Sequence, residues 1–568
     1  MYKDEYKRWL SEVTQPDLHS ELEGIAQDEE QIEDRFLLNL EFGTAGLRGV
    51  LGAGTNRMNI YTVGKATQGL ANFLKGQSDT PSIAISFDSR HKSDLFAQTA
   101  ACVLAASGVK VYLYKTLSPV PMLSYAVRKC GCDGGIMITA SHNPAKYNGY
   151  KVYGSDGCQM TSENADKVLA QINSLDIFRD IKTVDFDVAV GDGRIEYIPQ
   201  NITDSYYDYV LNCMMRKDIF KKESLKVVYT PLNGAGNVPV RTVLKRAGLS
   251  DVTVVKEQEQ PDGSFSTCPY PNPEIKQAMQ LGLDRLKELG GDILIATDPD
   301  ADRVGIAVRE GEDYIMLSGN QVGILLLDYI AKTRKELGTL PQRPVAVKSI
   351  VTSSLADEVA KSHGVEMVNV LTGFKYIGEA IKNLEINGEE NRFILGFEES
   401  YGYLVGTQVR DKDAVVATLL IAEMAAYYTS VGSSINKAME SIYKQFGYYL
   451  NKVDSYEFEG MSGMHRMKEI MDNLRREPLA TLGGYTVEAR EDYSTLEKIY
   501  CDTQVKEKIN LPKANILVYW LAGGHQVIIR PSGTEPKVKV YYSIKGENLI
   551  ETQIIKEKIS RDITPIMA

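Results

Sequence analysis

Short apolar runs alternate with amphipathic stretches along most of the chain. The runs at 82–87, 109–114 and 134–138 have the length and composition of buried strands, and a helical pattern at 94–106 separates the first two. Because strands that alternate with helices form parallel or mixed sheets covered by helices, this pattern predicts an α/β fold. Further predicted strands and helices lie at 225–229, 238–247, 252–255, 274–289, 292–296, 345–348, 354–362, 366–370, 376–384 and 393–395.

After about residue 450 the pattern changes to shorter strands with few helices between them, which is typical of a smaller α+β domain. The strands are predicted at 448–458, 485–489, 516–520, 526–529 and 538–543, and the helices at 463–474 and 549–559. At about 150 residues per domain, a chain of 568 residues holds about four domains. We expect these domains at 1–215, 216–325, 326–450 and 451–568.

Composition and charge narrow the class of protein. A chain that is 43% hydrophobic and 24% charged has the balance of a globular protein, and this excludes a mostly disordered or collagen-like chain. The net charge of -11 argues against binding to nucleic acid and against adhesion to an anionic membrane. We therefore expect neither a nucleic-acid nor a membrane partner.

Cysteine usage and the apolar segments predict a cytoplasmic protein. The seven cysteines are scattered without a C-x-x-C pair, which favours free thiols in a reducing compartment over a zinc or redox motif. The first nine residues lack the apolar core of a signal peptide. The longest apolar stretch, 414–428, is interrupted by Glu423 and is short for a membrane span.

One pattern occurs four times, once in each predicted domain. An apolar strand leads into a polar loop at 134–144, 291–303, 392–402 and 525–536. In open α/β sheets, ligands bind beyond the carboxyl ends of the strands, so four such loops predict one cleft shared by all domains. The alternative for any single loop is an ordinary polar turn.

The loop that contains Asp298, Asp300 and Asp302 is the clearest candidate metal site. Three carboxylates at alternate positions after a buried strand can converge on one hard cation, and like charges so close together are costly without one. Glycine is absent from the sixth position of this loop and glutamate from the twelfth, so the segment is not an EF-hand. Few protein ligands with room for substrate oxygens favour Mg²⁺ over Ca²⁺. The alternative is a solvated acidic turn.

Three further segments carry candidate chemistry. Ser141 follows a strand and can act as a nucleophile, although a Ser-His-Asn-Pro sequence also suits a capping turn. The segment Arg530-Pro-Ser-Gly-Thr resembles an anion-binding loop, because an arginine, two hydroxyls and a glycine suit a phosphate monoester. Glu398 and Ser400 fit hydrogen bonding to sugar hydroxyls, or a charged turn. The segment 410–413, Arg-Asp-Lys-Asp, either adds positive charge near a site or is the solvated start of the next helix.

Nucleotide-binding motifs are not found. The Gly64-Lys65 pair is followed by Ala66 and so makes no Walker A loop, and Pro239 occupies the last glycine position of a possible dinucleotide fingerprint. If a phosphoryl group is transferred, ATP is not the expected donor.

The four loops, in this order, resemble those of the α-D-phosphohexomutase superfamily, which includes phosphoglucomutases and phosphomannomutases. The segment 42–49, FGTAGLRG, and the segment 88–90, Asp-Ser-Arg, extend the resemblance over roughly residues 40–545. Within the superfamily the loops are more similar to the branch with phosphopentomutase-like phosphoglucomutases and glucose-1,6-bisphosphate synthase than to the bacterial phosphomannomutase/phosphoglucomutase branch. The resemblance implies four domains around a central cleft, of which three are related mixed-sheet α/β domains and the last is a smaller α+β domain.

The resemblance also implies roles for residues at matching positions. Ser141 would carry the phosphoryl group, and its phosphate would complete a Mg²⁺ site made by Asp298, Asp300 and Asp302. Arg48, His142 and Lys151 would lie near the transferring phosphoryl group, with Lys151 or His142 as the general acid/base. The residues expected to bind the substrate are Arg303, Thr372, Gly373, Lys375, Glu398, Ser400 and Lys412. Those expected to bind its non-reacting phosphate are Arg530, Ser532, Gly533 and Thr534.

The activity that follows is an intramolecular phosphotransfer. Glucose 1-phosphate and glucose 6-phosphate would interconvert through a phosphoserine and a bisphosphate intermediate, with a sugar 1,6-bisphosphate as activator and Mg²⁺ as cofactor. The alternatives are a phosphopentomutase acting on ribose or deoxyribose phosphates, a phosphomannomutase, a sugar-phosphate phosphatase, or an inactive binding protein. The expected partners are small sugar phosphates, and the expected state is a monomer or a weak homo-oligomer.

Overall fold

Four β-sheets follow one another along the chain in the computed structural model, which describes residues 2–43, 46–458, 460–532 and 537–567. The first three sheets contain both parallel and antiparallel pairs, and the fourth is antiparallel. The predicted fold class is confirmed: three mixed-sheet α/β domains are followed by a C-terminal domain built mainly on a sheet.

The first domain has a six-stranded sheet in the order β1-β5-β4-β2-β3-β6, and three helices precede it. Its strands are β1 Gly46–Val50, β2 Ser82–Phe87, β3 Lys110–Leu113, β4 Gly134–Ile138, β5 Tyr147–Gly154 and β6 Ile195–Tyr197. Its helices are α1 Tyr2–Glu12, α2 Pro16–Gly24, α3 Glu29–Phe36, α4 Ile60–Lys75, α5 Ser93–Ala106, α6 Val120–Lys129, α7 Ser162–Asn173, α8 Phe186–Gly191 and α9 Gln200–Cys213.

The second domain has a five-stranded sheet in the order β11-β10-β9-β7-β8. Its strands are β7 Val227–Thr230, β8 Val252–Val254, β9 Ile293–Thr297, β10 Val304–Glu310 and β11 Asp313–Leu317. Its helices are α10 Ile219–Lys222, α11 Asn237–Arg246 and α12 Lys276–Leu289, with a 3₁₀ turn at Lys256–Gln258.

The third domain has a four-stranded sheet in the order β13-β12-β14-β15. Its strands are β12 Val345–Ser349, β13 Glu366–Val370, β14 Phe393–Glu398 and β15 Gly402–Leu404. Its helices are α13 Gly319–Glu336, α14 Leu355–His363, α15 Phe374–Ile386, α16 Ala414–Ser430 and α17 Ile435–Phe446, with a 3₁₀ turn at Glu390–Arg392.

The fourth domain curls one antiparallel sheet against two helices. Its strands are β16 Tyr448–Glu457, β17 Thr481–Leu482, β18 Tyr485–Asp492, β19 Glu497–Tyr500, β20 Lys506–Lys508, β21 Leu517–Leu521, β22 His525–Pro531 and β23 Lys537–Gly546. Its helices are α18 Gly460–Arg476 and α19 Leu549–Met567.

The domain limits stay a proposal. The division expected after residue 325 falls inside α13 and that after 450 falls inside β16, because the apolar pattern of each element begins a few residues earlier than we expected. We propose that these divisions lie before Gly319 and before Tyr448. The division at 215 lies just after α9.

Besides the core of the first sheet, two hydrophobic cores organise the packing around the cleft. The second and third domains share one core, which α6 and α9 of the first domain join; it includes Tyr125, Tyr206, Ile295, Phe397 and Leu420. The fourth domain has a core of its own, between its sheet and α18 and α19. A smaller apolar cluster, with Ile350 and Leu371 on one side and Val518 and Tyr541 on the other, joins the third and fourth domains.

Helix α16, which covers the apolar stretch noted in the sequence, is almost wholly buried in the shared core. Its Glu423 accepts hydrogen bonds from the backbone N–H groups of Met215 and Arg216 and from the hydroxyl of Tyr329. Within the described part of the chain, no helix alone is long and apolar enough to cross a membrane; only α16 and α17 together, bent by 85°, meet that length and composition.

Candidate active site

Each of the four polar loops lies between two antiparallel strands. β4 pairs with β5, β9 with β10, β14 with β15 and β22 with β23, so every loop turns the chain back along its own sheet. In the first three loops a non-glycine residue adopts the left-handed conformation: Ser141 (φ 53°), Ala301 (φ 47°) and Tyr401 (φ 65°). Such backbone is costly and is concentrated at functional sites, which supports a shared role for these turns.

Ser141 lies against the aspartate loop of the second domain. Its Oγ donates to Asp298 Oδ2 at 3.1 Å and lies 3.1 Å from His142 Nδ1. The hydroxyl of Thr139 accepts from the Ser141 N–H at 2.8 Å and donates to Asp300 Oδ2 at 3.2 Å. Two domains therefore fix the serine hydroxyl beside the carboxylates.

Asp298, Asp300 and Asp302 form a buried cluster whose ligand oxygens all lie within 4.8 Å of one another. The backbone N–H groups of Asp302 and Arg303 donate to Asp298 Oδ1, which fixes the turn. Among the described residues, Asp300 Oδ1 and Asp302 Oδ1 are buried and have no hydrogen-bond partner. Burial and the two neighbouring carboxylates raise the pKa of Asp298 well above its usual range. Buried oxygens that converge without donors fit a hard divalent cation, so the cluster can hold a metal ion.

Three cations surround the aspartate cluster. Lys151 Nζ, from β5, lies 2.8 Å from Asp300 Oδ2 and 3.5 Å from Asp302 Oδ2. Lys412 Nζ lies 3.2 Å from the same Asp302 Oδ2, and Arg303 pairs with Glu274 at 2.8 Å. This arrangement concentrates positive charge where a phosphoryl group would meet the serine.

The two candidate acid/base residues have opposite electrostatics. Burial and the positive charges of Arg303 and Arg48 lower the pKa of His142 well below its usual value, so its imidazole is neutral near pH 7. Burial disfavours the Lys151 ammonium, but Asp300 and Asp302 outweigh it and raise the pKa of Lys151. His142 can accept a proton, whereas Lys151 stays charged.

The third-domain residues line the opposite wall. Glu398 Oε1, at the end of β14, accepts from the Gly373 N–H at 2.8 Å, and burial together with the charge of Glu399 raises the pKa of Glu398 to about 7. Thr372 Oγ1 is buried and has no hydrogen-bond partner among the described residues. Ser400 is half-buried in the turn between β14 and β15.

Two predicted site residues, Lys375 and Arg48, lie outside the four polar loops. Lys375 Nζ donates to Ser162 Oγ at 3.2 Å, at the start of α7, and not to a side chain of the four loops. Arg48 is exposed on β1 opposite Gly149, and after burial and Arg303 its positive charge is a further cause that lowers the pKa of His142. Their roles stay predictions.

The fourth domain presents a cationic strip at the end of its hairpin. Arg530, the last residue but one of β22, lies opposite Lys539 on β23, and Ser532 is the last described residue before the turn. Burial and the like charges of Lys537 and Arg530 lower the pKa of Lys539. Gly533 and Thr534, the other predicted phosphate-binding residues, lie outside the described residues. Lys539 was not predicted, because in the sequence it is one of several alternating lysines in a strand.

Arg90 holds the serine loop in place, a role that the sequence did not indicate. Its guanidinium donates to the carbonyl oxygens of Ser141 (2.6 Å), Pro144 and Tyr147 (both 3.0 Å) and also to that of Asn143. Its Nε lies 3.3 Å from Asp88, and the side chain is buried. One arginine therefore fixes the backbone of the serine loop. The Asp-Ser-Arg segment after β2 was the only signal.

The 410–413 segment is buried throughout, with exposed fractions between 0% and 7%. The alternative of a solvated helix start is therefore not supported. Asp413 does begin a helix, because its side chain accepts from the N–H groups of Val415 and Val416.

Comparison with known proteins agrees with this architecture. Three family models match in order: phosphoglucomutase/phosphomannomutase alpha/beta/alpha domain I at 39–177, domain II at 204–311 and domain III at 318–446. A phosphoglucomutase of Staphylococcus haemolyticus is 37% identical over 533 residues, which cover 94% of both chains.

Solved structures show the same fold. Parafusin, a phosphoglucomutase from Paramecium solved in an open form, is 18% identical with a TM-score of 0.68 and covers 93% of this chain and 95% of its own. An N-acetylphosphoglucosamine mutase of Aspergillus fumigatus, solved with GlcNAc-6P and magnesium, is 14% identical with a TM-score of 0.52 and covers 98% of this chain and 100% of its own. With three family models and a curated relative along nearly its whole length, the chain belongs to the phosphoglucomutase/phosphomannomutase family.

Proposed function

We propose that this enzyme, a phosphosugar mutase, interconverts glucose 1-phosphate and glucose 6-phosphate through a phosphoserine at Ser141. The observation that carries the proposal is the contact of the Ser141 hydroxyl with Asp298 across two domains, inside a ring of cations. The curated relatives over 90% or more of the chain are phosphoglucomutases, which favours glucose over mannose or pentose.

In the first transfer, the bond between phosphorus and Ser141 Oγ breaks and a bond to the free hydroxyl of the sugar monophosphate forms, giving a bisphosphate. His142, neutral and 3.1 Å from Ser141 Oγ, is suited to accept the proton of the attacking hydroxyl and to pass a proton to Ser141 Oγ as its bond to phosphorus breaks. Lys151, Lys412 and Arg303 oppose the negative charge of the transferring group. The bisphosphate then turns over, and its other phosphate is transferred back to Ser141.

Asp298, Asp300 and Asp302, with the phosphate of Ser141, would hold Mg²⁺, which when bound supplies positive charge to the phosphoryl oxygens. The Aspergillus mutase of the same fold was solved with magnesium. The unpartnered oxygens of Asp300 and Asp302 support this assignment.

The remaining residues recognise one sugar in two orientations. Glu398, with Ser400, Thr372, Gly373 and Lys375, would bind sugar hydroxyls or line that wall. Arg530 and Ser532, together with Gly533 and Thr534, would bind the phosphate that does not react, and Lys539 adds charge beside them. The bisphosphate must bind in two opposite orientations. A small set of hydroxyl contacts and one strong phosphate contact can serve both orientations.

The substrate is tested by turnover on glucose 1-phosphate, mannose 1-phosphate and ribose 1-phosphate, each with and without glucose 1,6-bisphosphate. We expect the highest kcat/KM on glucose 1-phosphate and activation by the bisphosphate. Higher turnover on ribose 1-phosphate would favour the phosphopentomutase, and phosphate release without isomerisation would favour a phosphatase.

Removal of the metal provides a second test. Treatment with a chelator should abolish turnover, and added Mg²⁺ should restore it. An enzyme that keeps its activity in chelator would refute the metal site.

We also propose that the enzyme acts only on small sugar phosphates. It would be a monomer or a weak homo-oligomer and would work in the cytoplasm. Light scattering of the purified protein over a range of concentrations measures the oligomeric state.

A further inference from the structure

The 410–413 segment connects the third domain to the parts of the protein around the aspartate cluster. Arg410 pairs with Glu385 at 2.7 Å within the third domain, and its N–H donates to Ser124 Oγ of the first domain at 2.9 Å. Asp413 accepts from the hydroxyl of Tyr206 on α9 at 3.0 Å. The two residues between Arg410 and Asp413 are thus fixed at both ends.

Asp411 is held by four donors. Tyr153 Oη and Gln159 Nε2, both of the first domain, donate to Asp411 Oδ2 at 2.9 Å. The Lys412 N–H at 2.8 Å and Lys412 Nζ at 3.1 Å donate to Asp411 Oδ1. Only 1% of this residue is exposed. Because two donors bind each of its oxygens, this buried carboxylate is held in a single orientation.

Lys412 is shared between two carboxylates. Its ammonium lies 3.1 Å from Asp411 Oδ1 and 3.2 Å from Asp302 Oδ2, and 5.3 Å from the centre of the Phe374 ring. Since Asp302 belongs to the aspartate cluster, the attraction between Lys412 and Asp302 opposes the binding of a cation there. That attraction depends on how much of the ammonium's charge Asp411 balances.

We propose that Asp411 is a positioning residue for the metal site: it holds the Lys412 ammonium between itself and Asp302, and so limits how strongly Lys412 competes with a divalent cation for the Asp302 carboxylate. The inference rests on the proposed function, because the proposed function identifies the aspartate cluster as the metal site. Asp411 would affect that site only through Lys412.

The physical reason for this role is that the buried Lys412 ammonium needs nearby carboxylates to balance its charge. If Asp411 is replaced by asparagine, Asp302 becomes the nearest carboxylate that can balance the buried ammonium, and Lys412 pairs with it more strongly. Side chains that hold the groups next to a metal typically change metal affinity by about 10- to 100-fold when they are altered.

The test measures Mn²⁺ affinity by electron paramagnetic resonance of the free ion, on the full chain without substrate. We expect Asp411→Asn to weaken Mn²⁺ binding by about tenfold. In the Lys412→Met background the same substitution should change the affinity by less than about twofold, as for independent sites. An equal loss in both backgrounds, or no loss in the native background, would overturn the inference.

Glu385→Gln is the control, because it removes a negative charge that pairs with Arg410 in the same segment without touching Lys412; unlike Asp411, Glu385 is exposed. It should leave Mn²⁺ affinity within about twofold of the native value. A loss as large as that of Asp411→Asn would assign the effect to charge alone. If the native protein itself bound no Mn²⁺, the metal site of the proposed function would fall; native binding with an indifferent Asp411→Asn would overturn only the present inference.

Tyr153→Phe decides the question if Asp411→Asn does not fold, since it removes one donor to Asp411 and keeps the charge. Because an Asp411 carboxylate with one donor fewer balances more of the Lys412 charge, we expect Mn²⁺ affinity to rise, and an unchanged or lower affinity would overturn the inference. As a further readout, kcat of Asp411→Asn should return to near the native value at saturating Mg²⁺. A kcat that stays low at any Mg²⁺ concentration would indicate a general structural defect and would also overturn it.

Discussion

Two parts of the candidate site differ in burial and in the contacts that fix them. One part is formed by the serine and aspartate loops, and the other by the hairpin of the fourth domain. The inner site (Ser141, His142, Lys151 and the three aspartates) is buried except for the half-buried His142, and side chains of two domains hydrogen-bond across it. The outer site (Arg530, Ser532 and Lys539) is half-buried on a sheet with a separate core. The difference suggests a division of work in which the inner site performs the transfer and the outer site binds the phosphate. Inner-site variants should therefore lower kcat, and outer-site variants should raise KM.

The largest effect is expected for Ser141→Ala. Because no other group can carry the phosphoryl group in this scheme, kcat should fall by about 10⁴-fold or more while the thermal unfolding curve is unchanged. A coupled assay of glucose 6-phosphate formation measures the loss. Ser174→Ala, an exposed serine, is the control and should keep native kcat; substantial turnover by Ser141→Ala would remove Ser141 from the mechanism.

Arg90→Lys should affect kcat next most strongly. Lysine cannot reproduce the four contacts of the guanidinium, so the serine loop shifts, and a misplacement of about 1 Å can cost about 100-fold in kcat with little change in KM. Steady-state kinetics check this split. Arg57→Lys changes another buried arginine, whose side chain pairs with Asp34 and donates to the backbone oxygen of Asn56 rather than to the serine loop, and should leave kcat unchanged. Equal losses in both would contradict a specific role for Arg90.

Arg530→Gln should instead raise KM. A charge-assisted hydrogen bond contributes about 1.5–3 kcal/mol, so the loss of the arginine should raise KM by about 10- to 100-fold and change kcat only a few-fold. Arg490→Gln removes a cation from the same sheet and should leave KM near the native value. If Arg530→Gln lowered kcat as much as Arg90→Lys does, the contrast between the two sites would be wrong.

The smallest effect concerns pH and Glu398, which lies between the two sites. Burial and Glu399 raise the pKa of Glu398 to about 7, so it is charged above that pH and protonated below it. Only the carboxylate accepts two hydroxyl hydrogen bonds, so kcat/KM should fall by about tenfold from pH 8 to pH 6. Glu398→Gln should show a lower kcat/KM at pH 8 without this fall. A native-like pH profile in the variant would assign the titration to another group.

Much of the fold was predictable because the apolar pattern is strong. The strands at 82–87, 134–138 and 366–370 were predicted to the residue, and the other predicted strands and helices differ mainly at their ends. The antiparallel strands β5, β10 and β15 were not predicted, because each begins within or close after a polar loop, where no local pattern indicates that the chain turns back along the sheet. The three amino-terminal helices were missed for a similar reason: their apolar faces are narrow, and Trp9 and Leu22 are buried only by packing on one another and on the first domain.

The candidate site was predictable where one loop carries the chemistry. Ser141 and the three aspartates are such cases, and the structure brings them into contact. Arg90 and Asp411 act through partners that are distant in sequence, such as Pro144 for the first and Tyr153 for the second, and no local pattern encodes those contacts. Glu423 shows the same limit, since a residue that interrupts an apolar stretch in the sequence fixes the connection after α9 in the structure.

The core shared by the second and third domains has a consequence for synthesis on the ribosome. That core contains Tyr114 near its start and Tyr449 near its end, so it cannot be complete until about 450 residues have left the ribosome. The first sheet has a separate core and can form earlier, whereas the second and third domains must wait for each other. A nascent chain stalled between these two points would expose a large apolar surface, which makes this interval the one in which a chaperone is most needed.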